Sequence, residues 1–336
     1  MPLLALDPAR TPNGYSIKGW FIEHGLPSYK IRAVKQARDG YLWVATAQGI
    51  ARFDGSRFTV FTGATNPELR GGGFFAVQEA PDGSLWFGGD NGLFRWRGGH
   101  FERFTTEHGL AHNYVRALAV ARDGAIVVCT RNGYSFMRDG RISTPDGIWK
   151  QIAGVCRSYL ELADGSVLVG TDVGLWKIAG GKLQQLSGTA ELGGNTFTSL
   201  LETPDGSVWI GYSLGLRRLR PDGKQEDFGE VEGMATPRVY SLQLDRGGTL
   251  WIGTYGGGLY RLVSGRIERA NYAEHFGINA IQHLHEDREG ALWIAAATGL
   301  FRLKDNVSRP IASEQGLTQT SVFAVFEASD RTWWFG

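Results

Sequence analysis

Short apolar stretches separated by glycine turns recur along the whole chain. Each unit opens with a stretch such as IRAVKQA, followed by an Asp-Gly turn and a fully apolar stretch such as LWVAT. A second glycine, a third stretch such as IARFDG and a more polar fourth stretch such as RFTVFT complete the unit. Asp-Gly before a β-rich run favours a tight hairpin, because glycine adopts positive φ without steric cost. The pattern predicts four antiparallel strands per unit.

The repeat has a steady period along the sequence. Each unit can be anchored on the tryptophan of its Leu-Trp pair, or on the residue in its place, and successive anchors are 41 to 43 residues apart. The anchors are Trp43, Trp86, Val127, Leu168, Trp209, Trp251, Trp293 and Trp334. Four strands in about 40–45 residues is the period of a β-propeller blade. The sequence therefore predicts an all-β propeller, and the shorter turns of a stacked β-solenoid exclude that alternative.

The number of blades depends on how the ring closes. Residues 15–22 have the pattern of a fourth strand with no blade before it, so we expect them to complete the blade whose other strands lie within residues 278–303. This closure predicts seven blades over residues 14–304, with eight blades in one ring as the alternative. Residues 305–336 are then expected to begin a second propeller. Residues 1–13 are either disordered or the remainder of a signal segment.

Composition and charge narrow the classes of function. The formal net charge of +1 gives no electrostatic reason to expect a nucleic acid or an anionic membrane as partner. No run approaches the roughly 18 apolar residues that a membrane helix needs. The two cysteines, Cys129 and Cys156, exclude a disulfide-rich scaffold, and two buried thiols are favoured over a bridge. No phosphate-cradling loop or metal motif is present, so no cofactor is expected.

The repeated unit resembles the two-component regulator propeller repeat, and residues 30–62 fit that pattern almost throughout. The opening GWFIEHGLPSYKIRAVKQARDGYLWVATAQGIARFDG is especially similar to the first propeller of these sensors. The third and fourth copies are weaker, because Val127 and Leu168 replace tryptophan. The resemblance implies a periplasmic sensor region of an inner-membrane receptor, commonly two seven-bladed rings followed by an immunoglobulin-like domain and a membrane helix. The implied output is a histidine kinase or a diguanylate cyclase.

The same resemblance implies a small-molecule ligand, with a carbohydrate as a plausible class. It also implies that the membrane is reached only through further C-terminal parts, and that the full receptor is a homodimer. The immunoglobulin-like domain, the membrane helix and the output module would all lie outside the propeller units described above. The signalling role is therefore an expectation carried by the family.

One position of the repeat varies in a way that suggests a binding site. Small residues occupy the position ten residues before each anchor, except in the last blade, which has His283. The preceding position varies widely in polarity and favours arginine, which a core position would not do. Its residues are Arg32, Phe75, Arg116, Arg157, Thr198, Tyr240 and Gln282. We expect these residues and His283 to surround one mouth of the central channel and bind a sugar or a carboxylate. The alternative is that the arginines pair with carboxylates of neighbouring blades.

Catalytic chemistry has weaker support in the sequence. The recurring Asp-Gly pairs are expected to be hairpin turns, and LDRGGTLW (residues 244–251) resembles the Asp-box turn of sialidase-type propellers, which is structural. His283 and His285 lie on one face of a strand, but a metal site needs a third ligand. A lyase or glycoside hydrolase would need acid and base groups together, and only His283, His285 and Glu286 come close. A protein-interaction scaffold, with an exposed apolar patch, is the remaining alternative.

Overall fold

The computed structural model describes residues 6, 15–188, 196–229, 234, 238–263, 265–270, 278–305, 325–327 and 333–335. The chain divides into two units, Met1–Asp305 and Asn306–Gly336. The first unit contains seven sheets of four antiparallel strands arranged as the blades of a propeller. The predicted all-β fold and the blade number of seven are confirmed. The predicted residues 1–13 lie outside the described part of the chain, apart from Leu6.

Each blade begins with an innermost strand next to the central axis. These strands are β2 (Ile31–Gln36), β6 (Phe74–Glu79), β10 (Val115–Val120), β14 (Cys156–Glu161), β18 (Phe197–Glu202), β22 (Val239–Leu244) and β26 (Ile281–Glu286). The second strands, which carry the anchor residues, are buried almost throughout because sheets pack on both of their faces. They are β3 (Leu42–Thr46), β7 (Leu85–Gly89), β11 (Ile126–Thr130), β15 (Val167–Thr171), β19 (Val208–Tyr212), β23 (Leu250–Thr254) and β27 (Leu292–Ala296).

The third and fourth strands lie progressively further from the axis. The third strands are β4 (Ile50–Phe53), β8 (Gly92–Arg97), β12 (Gly133–Arg138), β16 (Gly174–Ala179), β20 (Gly215–Leu219), β24 (Gly258–Val263) and β28 (Gly299–Asp305). The fourth strands are β5 (Phe58–Phe61), β9 (His100–Phe104), β13 (Arg141–Ser143), β17 (Lys182–Gly188), β21 (Gln225–Phe228), β25 (Arg266–Arg269) and β1 (Tyr15–Trp20). Within the described residues, short 3-10 turns lie in connections between blades at Ile22–His24, Pro67–Leu69, Thr106–His108 and Gly147–Gln151.

The ring closes through the N-terminal strand, as the sequence predicts. β1 pairs antiparallel with β28, from Tyr15 opposite Asp305 to Trp20 opposite Leu300. Trp20 is buried and stacks on Trp293 with ring centroids 5.1 Å apart. The last blade therefore combines strands from both ends of the propeller, which ties the first and last blades together.

The core is a ring of apolar clusters, each formed where neighbouring blades pack. One cluster joins Trp43 of the first blade to Phe74 and Phe87 of the second. A recurrent polar contact accompanies the packing, in which a carboxylate or amide oxygen of one blade accepts a backbone N–H from the turn of its neighbour. Glu79 accepts from Arg38 at 3.0 Å, and the Gln36 amide oxygen accepts from Arg288 at 2.8 Å between the last and first blades.

The Asp-Gly pairs are turn residues, as expected. The aspartates four residues before an anchor accept a backbone N–H two residues further along the turn, namely Asp39, Asp82, Asp123, Asp164 and Asp205. The following glycines have positive φ, 90° at Gly40 and 81° at Gly83. Asp245 of the LDRGGTLW stretch accepts the indole N–H of Trp251 at 2.8 Å, which confirms a structural turn. Asp287 makes the same contact with Trp293 at 2.7 Å.

The expectation that the cysteines are two free thiols is wrong. Cys129 on β11 and Cys156 on β14 form a disulfide, with Cα atoms 5.1 Å apart. The bond connects the third and fourth blades at a point where their strands pack directly against each other. Disulfides persist in oxidising compartments, so the bond is compatible with a location outside the cytoplasm.

In the second unit the structure describes two short strands. β29 (Val325–Glu327) and β30 (Trp333–Phe335) pair antiparallel, with Phe326 opposite Trp334. The expectation that a second propeller begins in residues 305–336 stays a prediction. Among the described residues, no helix is both long and apolar enough to span a membrane.

Candidate functional site

All the predicted site residues line one cavity on the propeller axis. Its volume is about 290 Å³, and all seven innermost strands contribute to its wall. The predicted site residues on that wall are Arg32, Phe75, Arg116, Arg157, Tyr240, Gln282 and His283. Thr198, the remaining member of the variable position, lines it as well. We call this space the axial cavity; that it binds a ligand stays a prediction.

A β-bulge explains why this one position faces the axis in every blade. The pairing of each innermost strand with the second strand shifts by one residue between the first and third residues of the innermost strand. In the first blade the shift lies between Ile31 and Ala33, so that Arg32 is the extra residue. A bulge leaves its extra residue outside the ladder and re-aims the side chain. The seven bulge residues are therefore directed by the same backbone irregularity.

The positive charge of the axial cavity is grouped on one side of its wall. Arg32, Arg116 and Arg157 line the cavity, and among the described residues no aspartate or glutamate does. Burial lowers the pKa of Arg116, and the nearby charges of Arg157 and Arg32 lower it further. An arginine remains charged at neutral pH nevertheless. The Nε atom of Arg157 is buried without a hydrogen-bond partner. The alternative that these arginines pair with carboxylates of neighbouring blades is therefore not what the described residues show.

Aromatic rings hold two of the arginines in place. The guanidinium carbon of Arg32 lies 4.3 Å from the ring centre of Phe75, and that of Arg116 lies 5.1 Å from the same ring. Phe75 in turn packs on Tyr114 at 4.9 Å. Guanidinium groups over aromatic faces gain from the ring quadrupole while their N–H groups stay available. Phe75 is thus a platform that orients two cations in the axial cavity.

The opposite side of the axial cavity is polar and uncharged. Blades five to seven contribute Thr198, Tyr240 and Gln282 at the bulge position. The Thr198 hydroxyl donates to the backbone oxygen of Val239, so it is already engaged. The Tyr240 ring packs on Tyr255 at 5.3 Å. The cavity wall is therefore divided into an arginine side from blades one to four and a neutral hydrogen-bonding side from blades five to seven.

Of the three residues considered for catalysis, His283, His285 and Glu286, the axial cavity contains one. His283 lines the axial cavity, whereas His285 and Glu286 do not. Burial, with a smaller contribution from the charge of Lys35, lowers the pKa of His283 to about 4 and lowers the pKa of His285 well below its ordinary value. One carboxylate oxygen of Glu286 accepts the backbone N–H of Arg246. In the part of the chain that the structure describes, no three histidine, cysteine or acidic side chains are grouped to hold a metal ion.

Some residues near the axial cavity were not predicted from the sequence. Tyr159 and Cys129 line it, although neither occupies the bulge position. Tyr114 and Tyr255 contact bulge residues from the connections between strands, and Arg131 lies 5.3 Å from the ring of Tyr114. Cys129 and Tyr159 lie on β11 and β14, whereas Tyr114, Arg131 and Tyr255 lie in connections between strands. The two strand residues could have been found from their offsets to the anchors, two residues after Val127 and nine before Leu168.

Comparison with known proteins supports the predicted family. The family model described as two component regulator propeller matches residues 25–48, 191–213 and 233–256. The resemblance is confirmed, since three stretches of the chain match the model of this repeat. No curated protein sequence matches the chain.

Solved structures similar to the chain share its fold at low sequence identity. One is the extracellular domain of the putative hybrid two component system BT3049 from B. thetaiotaomicron, with a TM-score of 0.75, 19% identity and coverage of 96% of this chain and 47% of that chain. Another is the extracellular domain of the putative one component system BT4673 from the same organism, with a TM-score of 0.71, 21% identity and coverage of 95% and 44%. The chain thus spans less than half the length of these two domains.

An enzyme is also among the similar structures. Virginiamycin B lyase from Staphylococcus aureus, in a catalytically inactive form with quinupristin, has a TM-score of 0.67 and 16% identity, covering 86% of this chain and 99% of that chain. All of these identities lie below the level at which a shared function would follow from a shared fold. The comparisons therefore establish the propeller, and function has to be argued from the axial cavity.

Proposed function

We propose that this propeller is the ligand-sensing part of an extracytoplasmic signal-transduction receptor and has no enzymatic activity of its own. A small molecule binds in the axial cavity, and the receptor relays its binding to a histidine kinase or diguanylate cyclase output. The propeller repeats and the fold shared with extracellular domains of two component systems support the receptor class. The disulfide supports a periplasmic location.

The single observation that carries the binding site is the ring of bulge residues. Seven blades place their one variable, functionally diverse position on the wall of the same cavity. A residue selected only for packing would be small or apolar there, as Ala33 and Ala76 are at the next position. Three arginines without acidic partners and two aromatic rings are the side chains that recognise anionic or hydroxylated ligands. We therefore place the ligand among them.

An enzyme of the lyase or glycoside-hydrolase type is the weaker candidate. Such an enzyme needs an acid and a base within reach of one substrate. Of the three residues that the sequence offers for this chemistry, only His283 lines the axial cavity. A histidine with a pKa of about 4 is a poor general base at neutral pH, because catalytic efficiency favours a pKa near the working pH.

The test uses two variants of the axial cavity. Arg116→Ala and Tyr240→Ala each remove one wall contact and should leave the fold largely intact. Binding of a ligand found by thermal-shift screening of sugars and organic acids should weaken by about 1–3 kcal/mol, the scale of a lost charge-assisted contact. Calorimetry on both variants measures the change. Unchanged affinity in both would remove the ligand from this cavity.

Signal relay requires the complete receptor. Kinase autophosphorylation or cyclic dinucleotide synthesis should respond to the same ligand, and Tyr240→Ala should shift the response to higher ligand concentration. Arg138→Ala, which alters an exposed arginine paired with Asp123 on the third blade, is the matched control and should respond as the unaltered receptor does. A response that ignores the Tyr240 substitution would contradict sensing through the axial cavity.

A protein-interaction surface is a second candidate with an observation of its own. The exposed large apolar side chains of the described residues are Ile22, Tyr29, Val173, Leu214 and Tyr255. All five lie in connections at the ends of the second and fourth strands, which antiparallel pairing places on the face where the innermost strands begin. Light scattering across protein concentration tests whether this face mediates self-association.

A further inference from the structure

The arginines of the axial cavity are grouped without an acidic partner among the described residues, whereas several other arginines of the propeller have one. On the third strands, Arg95 contacts Glu102, Arg217 contacts Asp227 at 2.6 Å, and Arg261 contacts Glu268 at 3.1 Å. These pairs neutralise charge across adjacent strands of one blade. In the axial cavity three guanidinium groups share a partly buried space, and no carboxylate of the described part of the chain lines it. Among the described residues, Arg52 and Arg302 also have no carboxylate partner, but each lies apart on aromatic rings of its own blade. The axial cavity is distinguished by the grouping of three such cations.

The geometry of the three cations indicates a preorganised site. The guanidinium groups of Arg32 and Arg116 both pack on the ring of Phe75, so both are positioned before any ligand arrives. Arg157 brings a buried Nε–H that has no acceptor. A buried donor without an acceptor costs free energy that a bound acceptor would recover. The guanidinium groups also repel one another, and an anion bound between two of them would offset this repulsion by attracting both.

The neutral side of the cavity wall indicates which groups the ligand has besides its acidic group. Tyr240 and Gln282 offer hydroxyl and amide groups that donate and accept hydrogen bonds, and Ser241 lies beside them on the wall. Such groups recognise hydroxyls rather than a second charge. A volume of about 290 Å³ lies at the small end of ligand pockets, which suits one or two sugar rings.

We infer that the axial cavity binds an acidic sugar, with its carboxylate or sulfate group between Arg116 and Arg157 and its hydroxyls toward Tyr240 and Gln282. The inference rests on the proposed function and specifies the chemistry of its ligand. A neutral sugar would leave the three cations without a counter-charge, and a purely inorganic anion would leave the neutral side of the wall unused. Arg32, held on Phe75, contributes a further contact to the acidic group.

The first experiment isolates the charge of the axial cavity. Arg116→Met keeps most of the side-chain length and removes the cation, and Arg157→Met does the same from the next blade. Arg138→Met is the control, because it removes an exposed arginine from the third blade, which also carries Arg116. Melting temperatures are measured in sodium sulfate and in sodium chloride of equal ionic strength. The extra stabilisation by sulfate should be larger in the unaltered protein and the control than in either variant.

Sulfate stabilises most proteins by exclusion from their surface, so the informative quantity is the difference between variants. Without added anion, Arg116→Met should melt at a higher temperature than the unaltered protein, because repulsion among the guanidinium groups is relieved. Equal sulfate increments in all four proteins would overturn the inference. A smaller increment in Arg116→Met and Arg157→Met alone would support an anion site on the axis.

The second experiment compares glucuronate with glucose by calorimetry. Glucuronate should bind the unaltered protein at least about tenfold more tightly than glucose, and Arg116→Met should remove that preference. Equal binding of both sugars, weakened by Tyr240→Ala, would overturn the acidic ligand while leaving a ligand-sensing cavity in place. Binding of sulfate but of neither sugar would overturn the sugar part of the inference. Binding that no cavity substitution alters would instead count against the proposed site itself.

Discussion

Cys129 and Cys156 form their disulfide at a pair of positions where other blade interfaces pack a glycine against a bulky side chain. A Cβ atom added to Gly88 would lie 2.6 Å from Val115, and Gly211 and Gly253 meet Val239 and Ile281 at the same distance. The bulky residue begins the innermost strand, and the small residue lies two positions after the anchor of the preceding blade. The bond therefore takes the place of a packing contact that most of the ring repeats.

Replacing both cysteines by serine should destabilise the propeller markedly. The cysteines are 27 residues apart, and the loss of a cross-link of that span removes roughly 3–4 kcal/mol in the chain-entropy model. Two hydroxyl groups would also be left in an apolar interface. Denaturant midpoints under oxidising conditions measure the change, with the same protein treated with a reductant as an independent arm.

A matched variant separates the cross-link from the packing. Cys129→Gly with Cys156→Val copies the contact between Gly88 and Val115. It should unfold at a midpoint between those of the unaltered protein and the serine variant, because the apolar contact is restored without the covalent constraint. If the serine and glycine–valine variants had the same midpoint, the interface would not use the small–large packing seen elsewhere in the ring.

Ring closure depends on the buried face of β1. Trp20 stacks on Trp293 and packs edge-on against Phe53, so it joins the last blade to the first. Trp20→Ala should lower the free energy of unfolding by about 3–5 kcal/mol, the usual cost of deleting a large buried aromatic side chain. Ser16→Ala on the same strand is the control, because Ser16 is exposed and makes one long hydrogen bond of 3.4 Å. If Trp20→Ala and Ser16→Ala lowered the free energy of unfolding equally, the pairing of β1 rather than the packing of Trp20 would close the ring.

The Asp-box turns should contribute more stability than the ordinary Asp-Gly turns. Asp287 accepts the buried indole N–H of Trp293 and two backbone N–H groups, whereas Asp39 accepts only the backbone N–H of Tyr41. Asp287→Ala leaves buried donors without acceptors and should cost about 1–3 kcal/mol. Asp39→Ala, the same substitution in an ordinary Asp-Gly turn of the first blade, should cost less. Thermal denaturation of the two variants measures both losses of stability. Equal losses would contradict the larger contribution of the Asp-box turn.

The sequence predicts the ring well because one local rule repeats. Each anchor residue fixes a hairpin and a buried strand, so seven copies give seven blades, and a fixed offset from the anchor places Arg32, Arg116 and Tyr240 at equivalent points near the axis. The β-bulge that directs these residues toward the axis is not marked by any particular residue type, so the sequence does not predict it. The missing counter-charges could not be predicted either, because they depend on which carboxylates of neighbouring blades reach the cavity.

The disulfide could have been predicted from the positions of the two cysteines in the repeat, but not from their spacing in the sequence. Cys129 and Cys156 are 27 residues apart, which suggests nothing by itself. In the frame of the repeat, they occupy the facing positions held by Gly88 and Val115 one interface earlier. Their pairing follows only when contacts between consecutive blades are considered, and a strand-by-strand interpretation omits those contacts.

The pH dependence of stability should report on His283. Its pKa is about 4 in the folded propeller, lowered by burial and by the charge of Lys35, against an ordinary value of 6.5 in the unfolded chain. A base with a depressed folded pKa contributes stability that is present above pH 6.5 and is lost as the pH falls toward 4, because the unfolded chain takes up the proton first. The contribution is at most about 3 kcal/mol.

His283→Ser tests this directly, because blades four to six carry serine at the same position. The variant should lose less stability than the unaltered protein between pH 6.5 and pH 4, measured by denaturant unfolding at several pH values. Some slope will remain, since His285 also has a depressed pKa from burial and from the charges of Lys35 and His283. An unchanged slope in the variant would mean that His283 titrates normally in the fold and is open to solvent through the axial cavity.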